Sequence, residues 1–174
     1  EFARRYINDT RKKVLILTHR VELCAQTSRM LDEFGVPNKI IDSKVKELPD
    51  QDEFACFVAM VETLSNRIQD SRINLRQLGL VIIDEAHYNS FRKLFRYFEH
   101  CNILGVTATP LSSNLKLPMK DNYDSLIVGQ SISELVNASS SVVLILSQPL
   151  KIKADKNKAE SILIEFNFRN IREF

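Results

Sequence analysis

The stretch Leu80-Val81-Ile82-Ile83-Asp84-Glu85-Ala86-His87 decides how the rest of this 174-residue chain is read. Preceded by Leu78, its apolar residues run straight into two adjacent carboxylates. A continuous apolar run of this kind predicts a strand buried on both faces, as inside a parallel sheet. In open α/β sheets, ligands bind just beyond the carboxyl ends of such strands. Two carboxylates placed there cost free energy unless a cation or a reaction uses them. The pattern suits Mg²⁺-nucleotide chemistry. One carboxylate would hold the metal through water, and its neighbour would orient and deprotonate the water that attacks a phosphate. A strand that ends in an acidic helix cap is the alternative for the same residues.

Working outward, Val14–Leu17, Lys39–Ile41, Ala55–Met60 and Asn102–Val106 are further short apolar runs that read as strands. Helical patterns lie between them. Val21–Phe34 places Leu23, Met30, Leu31 and Phe34 on the expected buried side, and Gly35 and Pro37 stop it. Val61–Gln69 is a second helix, followed by a turn at Asp70–Asn74. Ser90–His100 carries Phe91, Leu94, Phe95 and Phe98 at helical spacing. That stripe reads as core packing, with Arg92, Lys93 and Arg96 facing solvent. Glu1–Lys13 reads as the back half of a helix, with Phe2, Ala3, Tyr6 and Ile7 on one face and basic residues at its end. Asp42–Asp52 is a polar loop, and Leu111–Tyr123 a polar connection. Tyr123–Val128 and Val142–Leu146 are short strands around a helix capped by Ser131 and Glu134. Strands alternating with helices predict a three-layer α/β domain with a mainly parallel sheet.

Two motifs give this pattern a family. Asp84-Glu85-Ala86-His87 resembles motif II, the Walker B box, of superfamily 2 DEAD/DEAH-box helicases, and Gly105-Val106-Thr107-Ala108-Thr109-Pro110 resembles their motif III. Thr18-His19-Arg20 and the helix behind it resemble motif Ia, with His19, Arg20 and Gln26 at positions that touch the nucleic-acid backbone in that family. Val61-Glu62-Thr63-Leu64 resembles motif Ic. Met60 and Glu62 depart from its usual polar residues, while Thr63 keeps a hydroxyl for a phosphate oxygen. Tyr123–Val136, YDSLIVGQSISELV, resembles the tail of the first motor domain in bacterial helicases related to type III restriction enzyme subunits.

The resemblance implies the first RecA-like (P-loop NTPase-type) domain over residues 1–150, with 151–174 a C-terminal tail or linker. It implies ATP and Mg²⁺ as cofactors, with Asp84 holding the metal through water and Glu85 as general base. It further implies that His87 links the nucleotide site to motif III, and that Thr107 and Thr109 report nucleotide state to the nucleic-acid side. DNA is the expected track, with RNA as the alternative, and a second RecA-like domain is the expected partner. On its own, a histidine at a helix start is equally a capping or packing residue.

One part of the family pattern is missing. The four glycines include none in a GxxxxGK[ST] loop, which cradles phosphates with backbone N–H groups and supplies a lysine. These residues alone are therefore expected to bind ATP poorly, and the expectation is that residues precede Glu1.

Composition narrows the rest. Hydrophobic content of 44% and charged content of 26% fit a globular domain with a core of its own. No apolar run approaches a membrane span, and Glu1 opens a charged, helix-like segment rather than a signal peptide. Cys24, Cys56 and Cys101 form no CxxC pair and read as plain thiols of a cytoplasmic protein. A net charge of +2 fits a balanced domain with a local basic rim. The alternative function is a non-catalytic module, derived from a helicase domain, that binds nucleic acid or protein. A nuclease or phosphatase acting through Asp84 and Glu85 alone would need a further ligand cluster, which the sequence does not show. Residues 161–174 fit a strand or a helix equally.

Overall fold

The computed structural model describes residues 1–45, 53–69, 75, 77–108, 112, 114, 116–127 and 144–147. The elements are α1 (Phe2–Thr10), β1 (Lys13–Thr18), α2 (Val21–Glu33), β2 (Asn38–Ile41), β3 (Cys56–Met60), α3 (Val61–Gln69) and β4 (Leu78–Asp84). They continue with a 3₁₀ helix (Asn89–Tyr97), β5 (Asn102–Thr107), a short 3₁₀ turn (Met119–Asp121), β6 (Ser125–Ile127) and β7 (Leu144–Ser147). The predicted helix from Ser131, the tail from residue 151 and Thr109 lie outside the described residues.

The strand order is β2-β3-β1-β4-β5-β7-β6. The first five strands are parallel, and β7 joins β5 and β6 in antiparallel pairs. The parallel strands alternate their side chains between two cores, and this is why they read as unbroken apolar runs. On one face Leu15, Leu17, Val81, Ile83 and Ile103 pack with Leu64, Phe91, Leu94 and Phe98. On the other, Val14, Val58, Leu80 and Leu104 pack with Ala3, Cys24, Leu31 and Val36. Helices on both faces of the sheet give the expected three layers, a RecA-like arrangement.

β1 sits between β3 and β4. The chain runs from β1 through α2 to β2, returns to β3, and then crosses β1 through α3 to reach β4. The two crossovers use opposite faces of the sheet. The strand order therefore reverses beside β1, and the crevice beyond its carboxyl end is where such sheets bind ligands.

Three helical expectations change in detail. The buried stripe of α2 is Cys24 and Leu31, whereas Met30 and Phe34 are 47% and 39% exposed. Cys24 and Leu31 lie seven residues apart on one face of α2, with half-buried Thr27 and Ser28 between them. Gly35 takes φ +66° after the helix, and Val36 N–H donates to Leu31 O while Gly35 N–H donates to Asp32 O. This pair of bonds closes the helix end in a Schellman motif. In α1 the basic residues fall past the end of the helix, which Arg11 terminates at φ 59°. At its start the Glu1 carboxylate accepts from Arg4 and Arg5. The aromatic stripe after β4 forms a 3₁₀ helix that buries Phe91 and Leu94, with Phe98 buried just past its end. Arg92 does not face solvent freely. It donates to Pro118 O at 2.8 Å and pairs with Asp121, which ties down the 119–121 turn.

Cys24 and Cys56 are buried free thiols and Cys101 is half-buried. Burial pushes Cys56 up to about 12 and Cys101 up to about 11, so both are unreactive at neutral pH. Among the described residues no helix is long and apolar enough to cross a membrane.

Candidate nucleotide and nucleic-acid site

The parallel register brings the ends of four strands to one edge. Thr18 lies opposite Met60, Leu17 opposite Ile83, and Asp84 opposite Val106. The residues that follow β1, β3, β4 and β5 therefore emerge side by side. Asp84 closes β4 and is half-buried. Burial, and then the neighbouring Glu85 carboxylate, raises its pKa above the usual carboxylate range. The Glu85 backbone N–H and the nearby His19 oppose that rise.

Immediately after Asp84 the chain leaves the strand sharply. Glu85 takes φ +52°, in the left-handed region that costs free energy for a residue with a Cβ. Two backbone hydrogen bonds hold it there. Ala86 N–H donates to Val106 O at 3.0 Å, and Tyr88 N–H donates to Glu85 O at 3.1 Å. Ala86 is buried against Gly105, where an added Cβ would come within 2.7 Å of the Ala86 Cβ and 2.9 Å of the Tyr123 ring. A glycine in β5 thus lets the turn after β4 lie against the neighbouring strand.

The turn aims His87 at the end of β5. Its Nδ1 lies 2.9 Å from Thr107 Oγ1 and 3.2 Å from Glu85 Oε2. With the proton on Nδ1, the ring donates to the Glu85 carboxylate. With the proton on Nε2, Nδ1 accepts from the Thr107 hydroxyl. Thr107 is 3% exposed, so its hydroxyl is held in a dry setting. Glu85, His87 and Thr107 are therefore joined into one group beside Asp84.

The other expected residues lie on the flanking loops and helix starts. Thr18 is buried; its hydroxyl donates to Arg20 O at 3.0 Å and lies 3.2 Å from Cys24 Sγ, shaping the loop that carries His19 and Arg20. Arg20 is exposed at the N-cap position of α2. Gln26 is exposed on the second turn of α2, and Thr63 is half-buried in the first turn of α3. No hydrogen bond among the described residues ties Gln26 or Thr63 to the Glu85–His87–Thr107 group. Glu62 pairs with Lys93 Nζ at 2.6 Å, so its charge on this edge is met by a lysine from the 3₁₀ helix.

Two relationships went unread in the sequence. One is the Glu62–Lys93 pair. The other is Tyr88, whose ring contacts both His19 and His87. An aromatic directly behind the acidic motif was its one signal.

The residues fit a hydrated magnesium ion bound to a nucleotide. Among the described residues no group of three or more His, Cys, Asp or Glu side chains forms a protein cage. Mg²⁺ needs none, since it keeps several waters and takes one or two carboxylates plus phosphate oxygens. A cation at Asp84 would relieve the charge that burial and Glu85 disfavour.

The mainly parallel sheet with helices on both faces is a RecA-like α/β fold. The family described as "Type III restriction enzyme, res subunit" matches residues 1–112, and the chain belongs to it. The chain is also similar to "Putative ATP-dependent helicase IRC3" of Saccharomyces cerevisiae, at 28% identity over 134 residues. That alignment covers 72% of this chain and 19% of the yeast protein, so the chain spans about a fifth of that relative's length.

Proposed function

We propose that these residues are the motor-domain portion of an ATP-dependent helicase or translocase that acts on DNA and couples Mg-ATP hydrolysis to movement along it. RNA is the alternative track. Residues 1–150 would form most of the first RecA-like domain and 151–174 a tail or linker, in a cytoplasmic protein that also carries a phosphate-binding loop and a second RecA-like domain. The observation that carries this reading is the Glu85–His87–Thr107 group at the ends of two adjacent parallel strands, beside Asp84.

Each residue has a role in this reading. Asp84 would hold a hydrated Mg²⁺, which when bound would supply positive charge beside the nucleotide phosphates. Glu85 orients the attacking water and takes its proton. Protonation of Glu85 weakens the acceptor that His87 Nδ1–H faces, which favours a bond to Thr107 instead. Through this exchange the nucleotide state would reach β5, and Thr109 would extend it. His19, Arg20, Gln26 and Thr63 would meet the nucleic-acid backbone from the ends of β1 and β3. Cations and hydroxyls are the groups that phosphate contact requires.

The sequence of these 174 residues has no GxxxxGK[ST] loop. The second reading is a module, derived from a helicase domain, that binds nucleic acid or protein without catalysis. The full-length protein decides between the two. Nucleic-acid-stimulated ATP hydrolysis that Glu85→Gln abolishes, with ATP binding retained, is the expected result. Undiminished turnover in Glu85→Gln removes the general-base role. Salt-sensitive oligonucleotide binding with no hydrolysis at all favours the binding module.

A further inference from the structure

The Tyr88 ring has no part in the chemistry assigned above, yet it sits at the centre of the edge. Its centroid lies 4.4 Å from that of His19 and 4.2 Å from that of His87, with interplanar angles of 38° and 35°. Three rings thus run without a gap from the loop after β1 to the turn after β4. The contact continues through His87 Nδ1 to Thr107 and Glu85. The backbone of Tyr88 is fixed by its N–H bond to Glu85 O. The Nδ1 atom of His19 is buried and has no hydrogen-bond partner among the described residues. Nδ1 therefore does not fix that ring, which packs against Tyr88.

We propose that Tyr88 is the positioning residue through which the His19 loop sets the orientation of the His87 imidazole. This rests on the helicase reading above. His19 and Arg20 share one loop, so a nucleic-acid backbone that engages it moves the His19 ring. Tyr88, packed against His19 on one side and His87 on the other, passes that displacement on. The imidazole has two acceptors or donors within reach, Thr107 Oγ1 and Glu85 Oε2, and hydrogen bonds weaken steeply with angle. A small rotation of the ring changes which bond it makes. Tyr88 itself touches neither metal nor phosphate in this scheme, and its ring rather than its hydroxyl carries the effect.

The test is steady-state ATP hydrolysis by the full-length protein with and without single-stranded oligonucleotide. Tyr88→Leu is expected to cut the stimulation ratio by roughly three- to tenfold, the range in which residues along a coupling route act. Tyr88→Phe is expected to restore it. Combining Tyr88→Leu with His19→Leu is expected to cost no more than the larger single loss, since the two share one contact. A Tyr88→Leu protein stimulated as fully as wild type overturns the proposal. So does a Tyr88→Phe protein as poor as Tyr88→Leu, or two losses that multiply. Should Tyr88→Leu fail to fold, His19→Leu and His19→Phe make the same comparison from the other end of the contact. Wild-type protein with no stimulated hydrolysis fails the helicase reading itself. Stimulated wild type with an indifferent Tyr88 fails only this inference.

Discussion

His87 Nδ1 lies 2.9 Å from Thr107 Oγ1 and so joins the turn after β4 to the end of β5. The bond spans two adjacent parallel strands and lies in a setting where Thr107 is almost completely buried. Thr107→Val keeps the shape and removes the hydroxyl. Under the helicase reading, nucleic-acid-stimulated turnover in the full-length protein should fall by roughly three- to tenfold, the cost of one such bond. Thr107→Ser should stay within about twofold. Equal rates for Thr107→Val and wild type would remove Thr107 from the coupling.

Asp84 is held in a position that disfavours its charge, first by burial and then by Glu85. Its folded pKa is raised above the unfolded value, so the native state binds the proton more tightly. Stability from this group is greatest at low pH and is lost as pH rises from the unfolded pKa through the folded one. Above that window the ionised group is a net cost. Asp84→Asn should therefore raise Tm at pH 7, without Mg²⁺ or nucleotide, by on the order of 2 °C. Under the helicase reading, the same substitution in the full-length protein should all but abolish ATP hydrolysis. A Tm gain that persists at the acid end of the window would contradict the assignment to the carboxylate charge. Addition of Mg²⁺ should raise the melting temperature of wild type more than that of Asp84→Asn.

Gly105 faces the Ala86 Cβ and the Tyr123 ring at distances no Cβ tolerates. Gly105→Ala should destabilise the domain by about 1–3 kcal/mol, the usual cost of overpacking. Adding Ala86→Gly should recover part of the loss, because one of the two clashes disappears. Denaturant unfolding of the three proteins measures this. A Gly105→Ala midpoint equal to that of wild type would refute the close approach.

Lys93 neutralises Glu62 across a 2.6 Å contact on the exposed edge. The pair adds little to stability, about 0.2–1 kcal/mol, because both groups are solvated. Its consequence lies in binding. Lys93→Ala leaves an unopposed carboxylate in the first turn of α3, near the expected phosphate track. The half-saturating oligonucleotide concentration should rise severalfold at low salt and converge with wild type at high salt. Glu62→Ala should shift it the other way. Binding unaffected by either change would place this face away from nucleic acid.

Much of the fold was legible along the chain. The apolar runs at Val14–Leu17, Ala55–Met60 and Leu80–Ile83 carry side chains to two cores by turns, and a strand packed on both faces leaves no polar alternation. The helix over Val61–Gln69 matches its predicted bounds, and so does the stop at Gly35, where the left-handed φ favours glycine. Such local signals need only a few neighbouring residues to be read. The buried face of α2 was misjudged because residue size ranked Met30 and Phe34 above Cys24. The face a helix buries is set by how the whole element sits on the sheet, not by side-chain size alone.

The sequence by itself determined that Asp84 and Glu85 end a buried strand and that Thr107 ends another, because periodicity and composition dictate element type. Tertiary structure alone decided that these ends are neighbours, with Asp84 opposite Val106 and β1 on the other side. It also decided that Tyr88 meets His19 and that Lys93 meets Glu62. Strand order and cross-chain contacts are set by how whole elements pack. No local stretch encodes which distant residue will arrive beside it.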